Sequence, residues 1–291
     1  MSDTLLWVDS RETLEEALRE LSASAAAGLD TEYDSFRYFR EKLCLLQLTN
    51  EKRTYLVDPL AGLDLAGLGS FFADPAIVKV THAGDNDLRI LKRDYGFSFR
   101  GIFDTHRAAS LLGDHHLSLS TLIGIHLGVQ IDKKRSTQRS RWENRPLSAE
   151  QLRYAAEDTS FLLPLYRKLA ADLREKDLEA EAQRLFEQMT AAEWREKRFN
   201  PLGHLYVEGY ETLAPDQREM LARLYRWRFE QAKRKDRAVF RVLSDPELVA
   251  ISRSGEGTPA GLVGSGALSA EKARRLGADI VSLMEVLRGR E

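Results

Sequence analysis

Gly28-Leu29-Asp30-Thr31-Glu32-Tyr33 is the stretch whose reading decides the fold. Side chains alternate faces along an extended chain, so a strand here projects Asp30 and Glu32 to the same side, a few ångströms apart. Two carboxylates so placed repel, and each resists ionisation. The commonest reason for a folded chain to keep such a pair is a bound cation. Asp-x-Glu by itself equally describes an edge strand with two acids on its wet face, so the surrounding chain has to decide.

Working outward, residues 5–8 read as a strand, and Asp9 with Glu12 as the acidic start of a helix. Leu14, Ala17, Leu18 and Leu21 continue that helix to about Ala26. Downstream, residues 43–48 and 53–57 are apolar runs joined as a hairpin by Asn50-Glu51-Lys52. Residues 34–42 are expected to form a loop or edge. A helix over 65–72, a strand over 77–80, a helix over 85–93 and a strand at Ile102-Phe103 follow. Asp104 can cap a helix from Thr105 to Leu112, and residues 118–127 form another. Residues 133–145 are polar, basic and aperiodic, hence a loop. Ser148 and Gln151 make a capping box for a helix through Tyr154, Asp158 and Phe161, which Pro164 should kink or divide. Strands interleaved with helices, then helices alone, predict an α/β fold: a mixed sheet with helical cover. The expected domains are 1–169, a helical connector over 170–210, and an all-α domain over 211–291.

Of 291 residues, 30% are charged and 43% hydrophobic, as in soluble globular proteins. The formal net charge of −2 excludes a basic coat, so any nucleic-acid contact must come from local clusters. The single Cys44 excludes an internal disulfide, suits a reducing cytoplasm, and reads as a small core residue. Residues 1–6 lack the start of a signal peptide, and no stretch is apolar enough to cross a membrane. Cytoplasmic localisation is therefore expected.

Two further sites bear on Asp30 and Glu32. His82-Ala83-Gly84-Asp85-Asn86-Asp87 lies at a strand-to-helix junction. Tyr154 and Asp158 are i and i+4 on a helix and share a face. Asp30, Glu32, Asp87 and Asp158 could surround one cavity. Four carboxylates without Cys or an obvious ligand His select a hard cation, Mg2+ or Mn2+ rather than Zn2+. Two such ions can activate a water and stabilise a leaving 3′ oxygen in phosphodiester hydrolysis.

On these residues the chain resembles the DEDD superfamily of 3′→5′ exonucleases, and within it the ribonuclease D family. The motifs are Leu29-Asp30-Thr31-Glu32, His82-Ala83-Gly84 through Asp87-Leu88, and Tyr154-Ala155-Ala156-Glu157-Asp158, whose Tyr marks the tyrosine-type branch. Asp104-Thr105 and Trp142 with Arg145-Pro146-Leu147 also look like family sequence. The resemblance implies a ribonuclease H-like sheet flanked by helices and a centre of two divalent ions, Mg2+ or Mn2+. It places Asp30, Glu32 and Asp158 on the first metal, with Asp30 and Asp87 serving the second. Tyr154 would orient, and help to deprotonate, the attacking water. Asp85 and Glu157 fall outside the set. His82 would steady its junction or meet a phosphate, the junction role weighing more.

Where the family often carries an acid before its Trp, Arg141 stands here. The loop thus gathers Lys133, Lys134, Arg135, Arg139 and Arg141, either as a phosphate clamp or as a solvated loop. Phe36, Tyr38 and Phe39 follow the first motif, where the family binds the terminal nucleoside. Stacking on a base suits one of them and core packing another. The C-terminal part resembles the HRDC domain through Leu224-Tyr225-Arg226-Trp227-Arg228 and Val242-Leu243-Ser244-Asp245, with Arg226 and Arg228 as candidate RNA contacts.

The resemblance thus implies a metal-dependent 3′→5′ exoribonuclease acting on single-stranded RNA 3′ ends, such as those of tRNA precursors. A DNA exonuclease is the first alternative, and a catalytically silent nucleic-acid-binding module the second. Since every candidate ligand precedes Leu169, catalysis is expected to survive removal of the chain beyond Arg198.

Overall fold

The computed structural model describes residues 5–131 and 135–288. The chain divides into two compact units, one of Met1–Asp34 with Lys42–Arg195, the other of Ser35–Glu41 with Glu196–Glu291.

The first unit is built on six strands: β1 Leu5–Val8, β2 Ala26–Asp34, β3 Lys42–Thr49, β4 Thr54–Val57, β5 Val78–Thr81 and β6 Ile102–Asp104. They lie in the order β1-β4-β3-β2-β5-β6. The β2-β3-β4 core is antiparallel, while β1, β5 and β6 join in parallel. The helices are α1 Arg11–Ser22, α2 Leu68–Ala73, α3 Asp85–Tyr95, α4 Thr105–Leu112, α5 Leu119–Leu127, α6 Arg135–Gln138, α7 Ala149–Ser160, α8 Leu162–Glu175 and α9 Glu179–Ala191. One sheet face packs on α1, α2 and α3 through Ala27, Leu29, Leu46, Leu48 and Val57. The opposite face meets α4, α5, α7 and α8 through Ala26, Leu45, Leu56 and Val80. Alternation along β2 thus sends Leu29 and Thr31 to the α3 side, and Gly28, Asp30 and Glu32 to the α7 side. Gly28 lets the helical layer approach closely: a Cβ there would stand 3.2 Å from the Thr159 carbonyl and 3.3 Å from Leu162.

Several local expectations shift. Ser10, not Asp9, caps α1, in a reciprocal box with Thr13 rather than Glu12. The helix is divided, as Pro164 predicts, but at Phe161, three residues earlier, so that Pro164 sits in the first turn of α8, where its missing N–H costs nothing. Within the polar loop, residues 135–138 form the short helix α6. Helix α9 belongs to the first unit, its Ala182 and Phe186 packing with Phe103.

Helix α1 is tied to the sheet by charge as well as by its apolar stripe. Arg53 on the β3–β4 turn donates to both carboxylate oxygens of Glu20, at 2.8 and 3.0 Å, and also reaches Glu16. Tyr55 donates to Glu20 as well. These donors hold the Glu20 carboxyl down at about 2, from an ordinary 4.5. Because the folded value lies below the unfolded one, the stabilisation is complete above about pH 4.5 and is lost as the pH falls through 2. Glu20→Gln should therefore lower the denaturant midpoint at pH 6 but leave it unchanged near pH 2. A difference of constant size across that range would remove the carboxylate from the stability of α1.

The second unit is helical: α10 Pro215–Arg234, α11 Val239–Val242, α12 Asp245–Ser254, α13 Pro259–Gly264 and α14 Ala270–Arg288. Its core gathers Leu221, Leu224, Leu243, Leu248, Ile251, Leu262 and Ile280. Segment Ser35–Glu41, which directly follows β2 in sequence, belongs to this unit. Phe39 is fully buried in its core, edge-on to Phe229 at 5.2 Å. The Ala238 amide donates to the Arg37 carbonyl at 2.9 Å, Arg241 to the Phe36 carbonyl at 2.8 Å, and the Arg40 amide to Asp236 at 2.9 Å.

That placement bears on removal of the chain beyond Arg198. Ending the chain at Arg198 strips segment 35–41 of Phe229, Asp236, Ala238 and Arg241 together. Trypsin should then cut at Arg37 and Arg40 in the shortened protein far faster than in the full chain. Equal cutting would mean that the segment needs nothing beyond Arg198.

Candidate active site

Strand β2 carries Asp30 and Glu32, and helix α7 carries Tyr154 and Asp158. Asp30 pairs across to Gln47 and Glu32 to Leu45, and the register slips by a bulge immediately after Glu32. The bulge lies beyond both acids, so their shared face is kept. Glu32 and Asp158 are buried, and Asp30 is half-buried. Ser148 opens α7 with the expected capping box, its hydroxyl accepting from the Gln151 amide at 3.2 Å. Ala155 faces the sheet among Leu45, Leu56 and Trp142, which fixes the rotation of α7. Tyr154 and Asp158 flank that contact. Burial raises the Tyr154 phenol well above its usual range, and the charges of Asp158, Glu32 and Asp30 push the same way, as does its hydrogen bond to Asp158. One hydroxyl therefore feels three carboxylates at once, and it is held protonated as a donor. Trp142 lies 5.9 Å from the Tyr154 ring, centroid to centroid.

Asp87 is placed differently. It is buried in the first turn of α3 and accepts from the Thr31 hydroxyl. The Thr31 backbone also hydrogen-bonds this carboxylate, so Asp87 is tied directly to β2 beside Asp30 and Glu32 in sequence. Burial pushes its carboxyl up to about 6, against the pull of Thr31. The junction before it is tightly made. Ala83 adopts φ 53, a left-handed conformation that a side chain disfavours. At Gly84 a Cβ would lie 2.7 Å from that of Thr81. Asp104 binds this turn from below: it accepts from Thr81 Oγ1 at 2.9 Å, the Gly84 amide at 3.1 Å and the Arg107 amide at 2.9 Å, which also caps α4. His82 Nδ1 lies 2.9 Å from Thr105 Oγ1, whose own proton goes to the Thr81 carbonyl at 3.0 Å. His82 therefore donates from Nδ1 and steadies the junction. Asp85 pairs with Arg107 at 2.9 Å.

The candidate nucleic-acid contacts divide. Arg139 and Arg141 are exposed, with Arg141 3.4 Å from Glu143. Lys133 lies outside the described residues. Phe36 is exposed and Tyr38 half-buried, while Phe39 is the aromatic that the core takes. Arg226 is exposed over the Phe199 ring at 4.6 Å. Arg228 is not available to RNA: it is buried, and donates to Asp245 at 2.6 Å and to the Leu243 carbonyl at 3.1 Å. Its place on the apolar stripe of α10, four residues after Leu224, is the reason. Arg145 is half-buried and committed within the fold, gripping both oxygens of Asp58 at 2.7 Å and the Cys44 and Trp142 carbonyls at 2.7 Å. Cys44 is a buried free thiol, pushed up to about 12 by burial.

Among the described residues, no group of three or more His, Cys, Asp or Glu side chains could hold an ion as it stands. The donor chemistry still fits a hard divalent cation. The acids around Tyr154 offer only oxygens, and three negative charges beside one half-buried phenol call for a counter-charge.

The chain matches the family model described as 3′-5′ exonuclease over residues 5–174 and the HRDC domain over residues 217–284. It is 31% identical to ribonuclease D of Shewanella sp. (strain ANA-3) over 284 residues, 96% of this chain and 71% of that one. It is also 31% identical to the exosome complex component 10 homolog of Drosophila melanogaster over 264 residues, where it spans only 29% of the relative's length. The crystal structure of Escherichia coli RNase D, described as an exoribonuclease involved in structured RNA processing, matches 98% of this chain with TM-score 0.73 and 27% identity, covering 75% of that chain.

Proposed function

The chain belongs to the 3′-5′ exonuclease family, as a relative of ribonuclease D, and from that premise we propose that it is a metal-dependent 3′→5′ exoribonuclease. The observations that carry the reading are that Asp30 and Glu32 share the α7 face of β2 and that their charges, with that of Asp158, all act on the Tyr154 phenol. Asp30, Glu32 and Asp158 would hold divalent ions, Mg2+ or Mn2+, with Asp87 supporting them. Ions so held supply an activated water and a counter-charge for the leaving 3′ oxygen. Tyr154, kept as a phenol, orients that water by hydrogen bonding rather than by taking its proton. Buried Trp142 and Ala155 fix α7 against the sheet and so hold Tyr154 and Asp158 in register with β2. Exposed Arg139 and Arg141 suit backbone phosphates, and Phe36 and Tyr38 suit a terminal base. Single-stranded RNA 3′ ends are the proposed substrate, with tRNA precursors among them.

The test compares matched RNA and DNA oligonucleotides bearing single-stranded 3′ tails, with Mg2+ or Mn2+. Nucleotides should be released from RNA faster than from DNA. Equal or faster release from DNA would replace the ribonuclease by a deoxyribonuclease with the same centre.

A further inference from the structure

Beneath α7, one polar side chain on the face shared by Asp30 and Glu32 has no use in the site so far described. Gln47, at the middle of β3, is fully buried, and neither its Nε2 nor its Oε1 has a hydrogen-bond partner. Leaving a buried amide unmade costs roughly 1–3 kcal/mol, so native proteins rarely keep one without a purpose. Its surroundings narrow the purpose. Gln47 stands directly opposite Asp30 on β2 and opposite Leu56 on β4. Directly opposed residues of an antiparallel pair share a face, with Cβ atoms about 5 Å apart. The neighbours two residues away along β3 are Leu45 and Thr49, and the Thr49 hydroxyl is already bonded to Thr54 at 2.9 Å and to Thr159 at 2.5 Å. Above lies Ala155, buried with Leu45 and Leu56. Leucine and alanine can satisfy neither end of an amide. Of the carboxylates on this face, the register sets Asp30 directly opposite Gln47 and Glu32 at the more distant diagonal position.

We infer that Gln47 is a positioning residue for the centre: with a divalent ion bound, its Nε2 would donate to Asp30 and fix the orientation of that carboxylate toward the ion. The inference rests on the reading of Asp30 as a metal ligand. A carboxylate that binds an ion with one oxygen keeps acceptor capacity on the other, and a buried amide is a neutral donor that leaves the net charge of the site unchanged. Partners of this kind orient ligands, and their loss typically costs about 10–100-fold in metal affinity or activity.

The experiment uses the full-length chain and the metal alone. Gln47→Met keeps the length and lack of branching of the side chain and removes only the amide. Gln47→Leu serves as a second apolar replacement among Leu45, Leu56 and Ala155. For each, Mn2+ binding is measured by calorimetry without substrate, the denaturant midpoint in metal-free buffer, and kcat and KM on a 3′-tailed RNA. The expected result is a midpoint equal to or above that of wild type, because an unsatisfied amide has gone, with Mn2+ affinity reduced about 10–100-fold. The fall in turnover should lie in kcat, with KM for RNA little changed. A merely structural glutamine gives the opposite pattern: the midpoint moves while Mn2+ affinity and kcat stay at wild-type values, and that result overturns the inference. Asp30→Asn is run alongside. If it too binds Mn2+ as wild type does, the metal centre itself is misassigned. If it loses Mn2+ while both Gln47 variants keep it, only the role of Gln47 falls.

Discussion

Asp30→Asn is expected to abolish exonuclease turnover, by at least about 10³-fold, while the protein stays folded. Asparagine keeps the shape of the side chain and removes the charge, and the loss of an ion that contributes several kcal/mol of charge stabilisation has that size. The fold should tolerate it. Asp30 is half-buried on a strand whose register is set by Leu29, Leu46 and Leu48 on the other face, so the sheet does not depend on its charge. Removing one of three negative charges around Tyr154 should, if anything, relieve repulsion in the metal-free protein. Three measurements check this together: nucleotide release from a 3′-tailed RNA, Mn2+ binding by calorimetry, and the denaturant midpoint. Turnover and metal affinity should fall while the midpoint holds or rises. Trimming at near wild-type rate would remove Asp30 from the centre.

Tyr154→Phe should be the next largest effect, and it differs in kind. Positioned acid–base groups typically contribute about 10²–10⁴-fold. Burial and three carboxylates hold the Tyr154 phenol protonated, which makes it a donor to Asp158 and an orienting group, so a loss near the lower end, about 10²-fold, is expected. Metal affinity should change little, because the acids remain. The ring still packs beside Trp142, so stability should be nearly unchanged. An unaltered kcat would make the hydroxyl a bystander. Loss of Mn2+ affinity as large as that of Asp30→Asn would instead show that the hydroxyl organises the ligands.

How much of this was legible in the sequence depends on the range of the interaction. The two-residue spacing of Asp30 and Glu32 and the four-residue spacing of Tyr154 and Asp158 are local, and both give the shared faces they predict. The Asp104 and Ser148 caps are local too, and both form. Ser10 displaced Asp9 as a cap because neighbouring residues compete for one role, and the chain's entry angle decides between them. Arg228 reads as one cation in a basic run, but its phase along α10 is that of the apolar stripe, a signal that a stricter count from Leu221 and Leu224 would have caught. Segment 35–41 carried no warning that Phe39, Arg37 and Arg40 would find partners some two hundred residues away. Asp87 shares a motif with the centre, and its bond to Thr31, fifty-six residues away in sequence, is a long-range contact that no local spacing announces. The orphaned amide of Gln47 becomes visible only once the register of β2 against β3 is known, because its meaning lies in the residue opposite.

The most direct test follows a 5′-labelled RNA with a single-stranded 3′ tail through time, with Mg2+ or Mn2+ present, with chelator, and with Asp30→Asn in place of the wild-type chain. The expected result is a ladder of labelled products that shortens one nucleotide at a time from the long end, absent with chelator and absent with Asp30→Asn. Immediate release of labelled mononucleotide, a discrete internal cut, or a ladder that persists in chelator or with Asp30→Asn would contradict a 3′→5′ exonuclease centred on that carboxylate.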